Sequence, residues 1–280
     1  MVSAGSATRM LEERTVATDA GTVHAWIGGD GPALVLLHGA GPGVDAQLNW
    51  AHVWSRLSAT FRVIAPDLLG FGTTELPDAL PDGAAAWADA RAEQTIAVLD
   101  ALNLQQAHIV GNSAGGGAAG LRLIQANPER VDRAVLMGGA GTLPTPDADP
   151  ARFYDNPSPT AMETAIRRLI HDPQRAPQPL SEIAQRRYAL AMRPGAEVAF
   201  RSMHSAATSR TGEPPEITSV PTLLLHGAED RVAALQASLS LRAALGTAHL
   251  HIFPDTGHWI HVDQPHAFCA VVESFLSEGW

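Results

Sequence analysis

Three residues of this chain have the types and order to break a bond in a small molecule: Ser113, Asp230 and His258. Ser113 lies in HIVGNSAGGGAAG (His108–Gly120), at the centre of Gly111-x-Ser113-x-Gly115. A serine hydroxyl is a weak nucleophile until a base takes its proton, and the base needs an acid to orient it. Asp230 in HGAEDRV and His258 in PDTGHW supply the acid and the base, in the chain order serine, acid, histidine. Each follows a short apolar run, as expected of loops at strand ends. Glu229, beside Asp230, is a credible stand-in, although motif position favours Asp230.

The same stretch can be read differently, as G-x-G-x-x-G from Gly115, Gly117 and Gly120. A dinucleotide fingerprint also needs an acidic residue about 20 positions on, at the end of the next strand. That strand, Arg133–Met137, ends in Gly138-Gly139-Ala140-Gly141, with no acid. The nucleophile reading is therefore preferred.

Attack on a carbonyl creates an oxyanion, which backbone N–H groups can stabilise. One donor is expected at Ala114, just after the nucleophile. The other is expected at Ala40 in HGAGPG (His38–Gly43), where Gly39 and Gly41 let the backbone approach a substrate. His38 reads as structural. Asp67 in APDLLGFG reads as a turn-bonding residue, Asp255 as a turn residue and Asp263 as a helix cap. Twelve histidines invite a metal reading, notably His249 with His251 and His258 with His261. No HExxH or carboxylate cluster accompanies them, so no metal site is expected.

These loops need a scaffold. Apolar runs recur at Ala33–Leu37, Phe61–Ala65, Ala107–Val110, Arg133–Met137, Pro221–Leu225 and His249–Phe253. Their lack of polar alternation predicts strands buried on both faces of a parallel sheet. Helical patterns lie between them, clearest at Trp87–Leu102 (face Ile96, Leu99, Leu102) and again at Asp263–Leu276. Arg14–Thr18 and Thr22–Ile27 flank a turn and read as a hairpin. The fold class is thus α/β: an open, mostly parallel twisted sheet flanked by helices. Between Gly139 and Pro215 no strand pattern is found. A stretch rich in Pro and Asp leads into helical patterns at Ala161–His171, Ser181–Met192 and Ala196–Ala207. The expected organisation is a core from 1 to 138, a helical lid from 139 to 215, and a second part of the core from 216 to 280.

Composition sets limits. The formal net charge of −10 argues against a nucleic-acid partner. All fixed basic side chains are Arg, and the single Cys269 excludes an internal disulfide. The N-terminus lacks the apolar segment of a signal peptide, and no apolar run is long enough to span a bilayer. The expectation is a cytoplasmic protein with no membrane partner.

HGAGPG with the downstream Asn49-Trp50, then APDLLGFG, GNSAGG, RVDRAVLMG, GAEDRV and TGHW, resembles the meta-cleavage product hydrolases. These are α/β-hydrolases that cut a C–C bond in ring-fission products of aromatic or steroid degradation. The resemblance runs from about Thr15 to the C-terminus and is looser in the lid. It implies a hydrolase acting on C–C bonds in ketonic substances, with a 2-hydroxy-6-oxohexa-2,4-dienoate-type substrate. The products would be 2-hydroxypenta-2,4-dienoate and a carboxylic acid. It further implies no cofactor and a homo-oligomer.

Such a substrate carries a carboxylate, so the site needs a cation in an apolar pocket. In SEIAQRRYALAMRPG, Ile183, Arg187 and Leu190 share a helical face, and Arg187-Tyr188 matches an Arg-aromatic pair of the family. Arg187 is the expected substrate cation, against the alternative of an arginine reaching out from the rim. Arg186 fits a polar stripe at salt-bridge spacing from Glu182. Asn49, Asn112 and Trp259 match family positions around the polar subsite. Asn112 has a rival role in holding the turn, and Trp259 one in packing. The chain departs from the pattern at Ala40, where Gly or Ser is frequent, and at Val232-Ala233-Ala234, where a bulkier residue and a proline are common. Two other functions stay open: a carboxylesterase or lactonase with the same triad, and a non-catalytic small-molecule receptor.

Overall fold

A computed structural model describes residues 11–140, 150–205 and 218–278. Eight strands form one sheet in these regions: β1 (Glu12–Thr18), β2 (Gly21–Gly28), β3 (Ala33–Leu37), β4 (Arg62–Pro66), β5 (Ala107–Asn112), β6 (Val131–Met137), β7 (Thr222–Gly227) and β8 (His249–Phe253). Their order is β1-β2-β4-β3-β5-β6-β7-β8. The expected hairpin forms with Val16 opposite Val23, and β2 pairs antiparallel with β4. All later pairings are parallel. The C-terminal ends of β3, β5, β7 and β8 therefore share one edge, where open α/β sheets bind ligands.

Strands β3, β5 and β7 are buried along their whole length, as continuous apolar runs require. β8 departs from that expectation: His249 and Ile252 are exposed. Among the described strands it is the last of the sheet, with a neighbour on one side only.

The flanking helices are α1 (Ala46–Leu57), α2 (Gly83–Ala101), α3 (Ala118–Ala126), α7 (Leu235–Leu245), α8 (Ile260–Asp263) and α9 (Pro265–Glu278). Asp45 caps α1 by accepting from the Leu48 N–H at 2.6 Å, and the helix buries Trp50, Val53, Trp54 and Leu57. α2 starts four residues before Trp87, because Ala84–Ala86 already favour helix. Its expected face holds at Leu99, which is buried, but Trp87, Arg91 and Thr95 are buried as well. The helix expected from Asp263 is two helices, since Pro265 lacks an N–H and pushes Gln264 out of the helical region.

Between β6 and β7 the described residues contain no strand. They form α4 (Pro159–Arg167, capped by Ser158), α5 (Leu180–Ala191) and α6 (Ala196–Met203). This segment crosses the sheet's C-terminal edge: Trp259 N–H donates to Leu169 O (2.8 Å), and Arg187 reaches Pro42. The Pro- and Asp-rich stretch at 141–149, the end of the third helical pattern and the N-terminal residues 1–10 lie outside the described residues.

Candidate active site

β5 ends at Asn112, and the next residue turns sharply. Ser113 has φ +56°, a left-handed conformation rare for a residue with a side chain. A helical turn over Ser113–Gly117 then runs into α3. The turn packs directly on the loop after β3, with Gly116 N–H donating to His38 O at 2.7 Å. A β-carbon at Gly115 would lie 2.7 Å from His38 O, so only glycine fits this approach.

Ser113 Oγ lies 2.8 Å from His258 Nε2, and His258 Nδ1 lies 2.7 Å from Asp230 Oδ2. Asp230 Oδ1 accepts from Val232 N–H (2.7 Å) and Ala233 N–H (2.9 Å). Burial opposes ionisation of Asp230, but His258 and these amides outweigh it and hold the carboxyl below its usual range. Glu229 is exposed, and its N–H donates to Thr256 O. The structure thus brings Ser113, His258 and Asp230 into one hydrogen-bonded chain and leaves Glu229 out.

The two expected oxyanion donors flank this chain. Ala114 is in the first turn of the helical segment, where N–H groups lack acceptors within the helix. Ala40 N–H has no acceptor among the described residues, and a β-carbon at Gly115 would lie 2.9 Å from its nitrogen. Gly39 faces Ser113: a β-carbon there would lie 3.8 Å from Ser113 Cβ. His38 bridges loops, with Nδ1 donating to Gly39 O (2.7 Å) and Nε2 accepting from Leu68 N–H (2.9 Å). Burial lowers its pKa to about 4, so it is neutral.

Arg187 is buried, only 3% exposed. Its Nε and Nη2 donate to Pro42 O at 3.0 and 2.8 Å, and its guanidinium sits 5.7 Å from the Trp259 ring centroid. A β-carbon at Gly41 would clash with Arg187 Nη2. Burial lowers the Arg187 pKa to about 10, which leaves it cationic at neutral pH. No carboxylate pairs with it among the described residues. Arg186 is exposed and donates to Gln47 Oε1 (2.7 Å); no ion pair with Glu182 forms among the described residues.

Asn112 and Asn49 are fully buried and bonded to each other, Asn112 Nδ2 donating to Asn49 Oδ1 at 3.1 Å. The bond gives each asparagine a structural partner in the other. Among the described residues the Asn112 Oδ1 has no partner. Trp259 is buried at 6% exposure between Arg187 and His261.

Asp263 corrects an expectation. Its carboxylate does not cap a helix; it accepts N–H bonds from Gly257 (2.8 Å), His171 (2.9 Å) and Asp172 (3.2 Å). It pins the segment after α4 to the loop that carries His258. Gly138 was also missed. It has φ +67°, and a β-carbon there would lie 2.7 Å from His258 Cε1. Its only signal was a glycine run at the end of β6. Among the described residues no three His, Cys, Asp or Glu gather in a metal-binding group, and no helix is long and apolar enough to cross a membrane.

The sequence and the fold resemble those of named hydrolases. A sequence model described as "Alpha/beta hydrolase family" matches residues 34–271. The chain is 38% identical over 265 residues to 2-hydroxymuconate semialdehyde hydrolase of Pseudomonas sp. strain CF600, covering 90% of this chain and 89% of that one. It is 37% identical over 257 residues to 2-hydroxy-6-oxo-2,4-heptadienoate hydrolase of Pseudomonas putida, covering 89% of this chain and 90% of the other. Among solved structures, 2-hydroxy-6-oxo-6-phenylhexa-2,4-dienoate hydrolase of Rhodococcus sp. strain RHA1 superposes with a TM-score of 0.88 at 34% identity, over 96% of this chain and 99% of that one. The chain belongs to the alpha/beta hydrolase family and, within it, to the meta-cleavage product hydrolases.

Proposed function

We propose that this chain hydrolyses a C–C bond in 2-hydroxy-6-oxohexa-2,4-dienoates, the products of aromatic ring meta-fission. The observation that carries the reading is the pairing of two features: the Ser113–His258–Asp230 chain, and the buried cation Arg187 with no carboxylate partner among the described residues. A buried charge of this kind is costly unless an anion meets it. The substrate carboxylate is that anion.

The substrate first ketonises: its 2-hydroxyl loses a proton and C5 gains one. Ser113 Oγ then adds to the C6 carbonyl while His258 takes the hydroxyl proton. Ala40 and Ala114 N–H groups stabilise the oxyanion. The C5–C6 bond breaks, and its electron pair is delocalised onto the C2 oxygen. Protonation there by His258 releases 2-hydroxypenta-2,4-dienoate. Water, deprotonated by His258, then cleaves the acyl-serine to the carboxylic acid. Asp230 holds the His258 tautomer and stabilises its cation. Gly39, Gly41 and Trp259 line the polar subsite with Arg187. No cofactor takes part. The segment 139–215 serves as the lid of a core made of 1–138 and 216–280. This reading carries the expectation of a cytoplasmic homo-oligomer.

The test is loss of the coloured dienolate in a panel with alkyl, aryl and steroid-derived groups at C6. Turnover of at least one member, abolished in Ser113→Ala, supports the reading. Persistence of all of them sinks it. Arg187→Ala is expected to lower dienoate kcat/KM by about 10²-fold and to spare simple esters. If it spares both, a carboxylesterase is the better description.

A further inference from the structure

Behind the polar subsite lies a buried hydrogen-bond relay whose direction can be worked out atom by atom. Asn49 Nδ2 lies 3.2 Å from His261 Nε2. Asn49 Oδ1 accepts from Asn112 Nδ2 (3.1 Å) and faces Gly39 N–H (3.4 Å). The backbone N–H of Gly39 is a donor whichever way the Asn112 amide is turned, so reversing the Asn49 amide would set donor against donor there. Its Nδ2 therefore points at His261 and donates. His261 Nε2 must accept, and the proton of this neutral imidazole sits on Nδ1, which is buried and has no partner among the described residues.

The ring is held in place on several sides. It stacks with His52 (5.3 Å between centroids) and packs against Trp50 (4.8 Å) and Phe268 (5.9 Å). His52 Nε2 is bonded to the His261 carbonyl at 2.8 Å. His261 is fully buried, and desolvation holds its pKa well below the ordinary value, so the neutral form persists. An imidazolium would lose its acceptor nitrogen and break the relay.

We propose that His261 is a positioning residue: by accepting from Asn49 it fixes the Asn112 amide beside the nucleophile and the Gly39 N–H of the oxyanion loop. It touches no reacting atom. The segment GHWIH thus acts on both sides of the carbonyl, supplying the base from His258 and setting the opposite wall through His261. The inference rests on the proposed C–C hydrolase reading only in that dienoate turnover is its kinetic readout.

The experiment has a kinetic and a spectroscopic arm. His261→Leu removes the acceptor and is expected to lower kcat between about tenfold and a hundredfold, as small misplacements do, with KM nearly unchanged. His261→Gln, whose Oε1 reaches the Nε2 position, is expected to restore kcat to within about threefold of wild type; His261→Asn, too short to reach it, is not. On an Asn49→Ala background, His261→Leu should cost less than about twofold, because the two residues act as one unit. Nitrogen-15 NMR of histidine-labelled wild-type protein should show His261 unprotonated at Nε2 and protonated at Nδ1. Additive losses, wild-type kcat in His261→Leu, equal Gln and Asn variants, or a proton on Nε2 would each overturn the proposal. If His261→Leu does not fold, the Gln and Asn pair and the spectrum decide. If the wild type turns over no dienoate, the functional reading fails. The spectrum, and the same variants assayed on an ester, still judge the relay.

Discussion

Among the described residues two Asp–His pairs share nearly the same local design. His258 Nδ1 lies 2.7 Å from Asp230 Oδ2, and His24 Nδ1 lies 2.8 Å from Asp67 Oδ2. Both aspartates follow a strand of the sheet, and both accept two backbone N–H groups, Asp67 those of Ala46 and Thr73. Burial opposes ionisation of both, and in both the histidine and the amides reverse the balance. They differ at the other ring nitrogen. His258 Nε2 meets the Ser113 hydroxyl, which can give up and take back a proton. His24 Nε2 meets the Glu13 carboxylate at 2.8 Å, and with Asp67 as the main cause the His24 pKa rises to about 9. In the proposed mechanism the first pair is the base, whereas the second is a cation that ties β1 and β2 to the loop after β4. An Asp–His contact alone does not mark an active site; the partner of the second nitrogen does.

Four substitutions can break or sharpen this contrast. Asp230→Asn should cut turnover by about 10⁴-fold through loss of the tautomer, with the circular dichroism spectrum unchanged; steady-state kinetics reads it. Asp67→Ala should destabilise the protein by about 3–5 kcal/mol, as removal of one partner of a buried pair does, and leave the activity of the folded protein intact. Urea unfolding and an assay in buffer separate the two effects, and a parallel loss of activity would dissolve the contrast. Gly138→Ala forces a methyl group against His258 in a left-handed backbone. It should cost about 1–3 kcal/mol and lower kcat more than KM.

The smallest effect is expected from His24→Gln. A folded-state pKa raised to about 9 means that the stabilisation is complete below the unfolded value near 6.5 and fades as pH rises through about 9. Because Glu13 is largely exposed, the wild-type melting temperature should exceed the variant's by only about 2 °C at pH 6. The gap should close above pH 9; a gap that widens there would show that the pair is misassigned.

What the sequence could convey depended on how local each feature is. The order of Ser113, Asp230 and His258, each in a loop after an apolar run, is written in short motifs. β3, β5 and β7 were equally legible from unbroken apolar runs. β8 has a similar run, but its exposure follows from its place at the end of the sheet, and strand order is not recorded in spacing. Glu182 and Arg186 have the right helical spacing, yet Gln47 from another element takes the arginine. Asp263 bonds backbone groups 92 and 91 residues away, and His261 meets an asparagine 212 residues away. Such partners are chosen by the tertiary fold, so nothing near Asp263 or His261 in the chain announces them.

The left-handed backbone at Ser113 has an evolutionary consequence. For a side-chain-bearing residue that conformation costs roughly 1–2 kcal/mol, and glycine would relieve it. Ser113→Gly should therefore yield a protein that melts at a higher temperature and does nothing. Durability and reactivity pull in opposite directions at a single position. A selection for heat resistance alone would tend to discard the nucleophile, so only a continuing demand for catalysis keeps serine there.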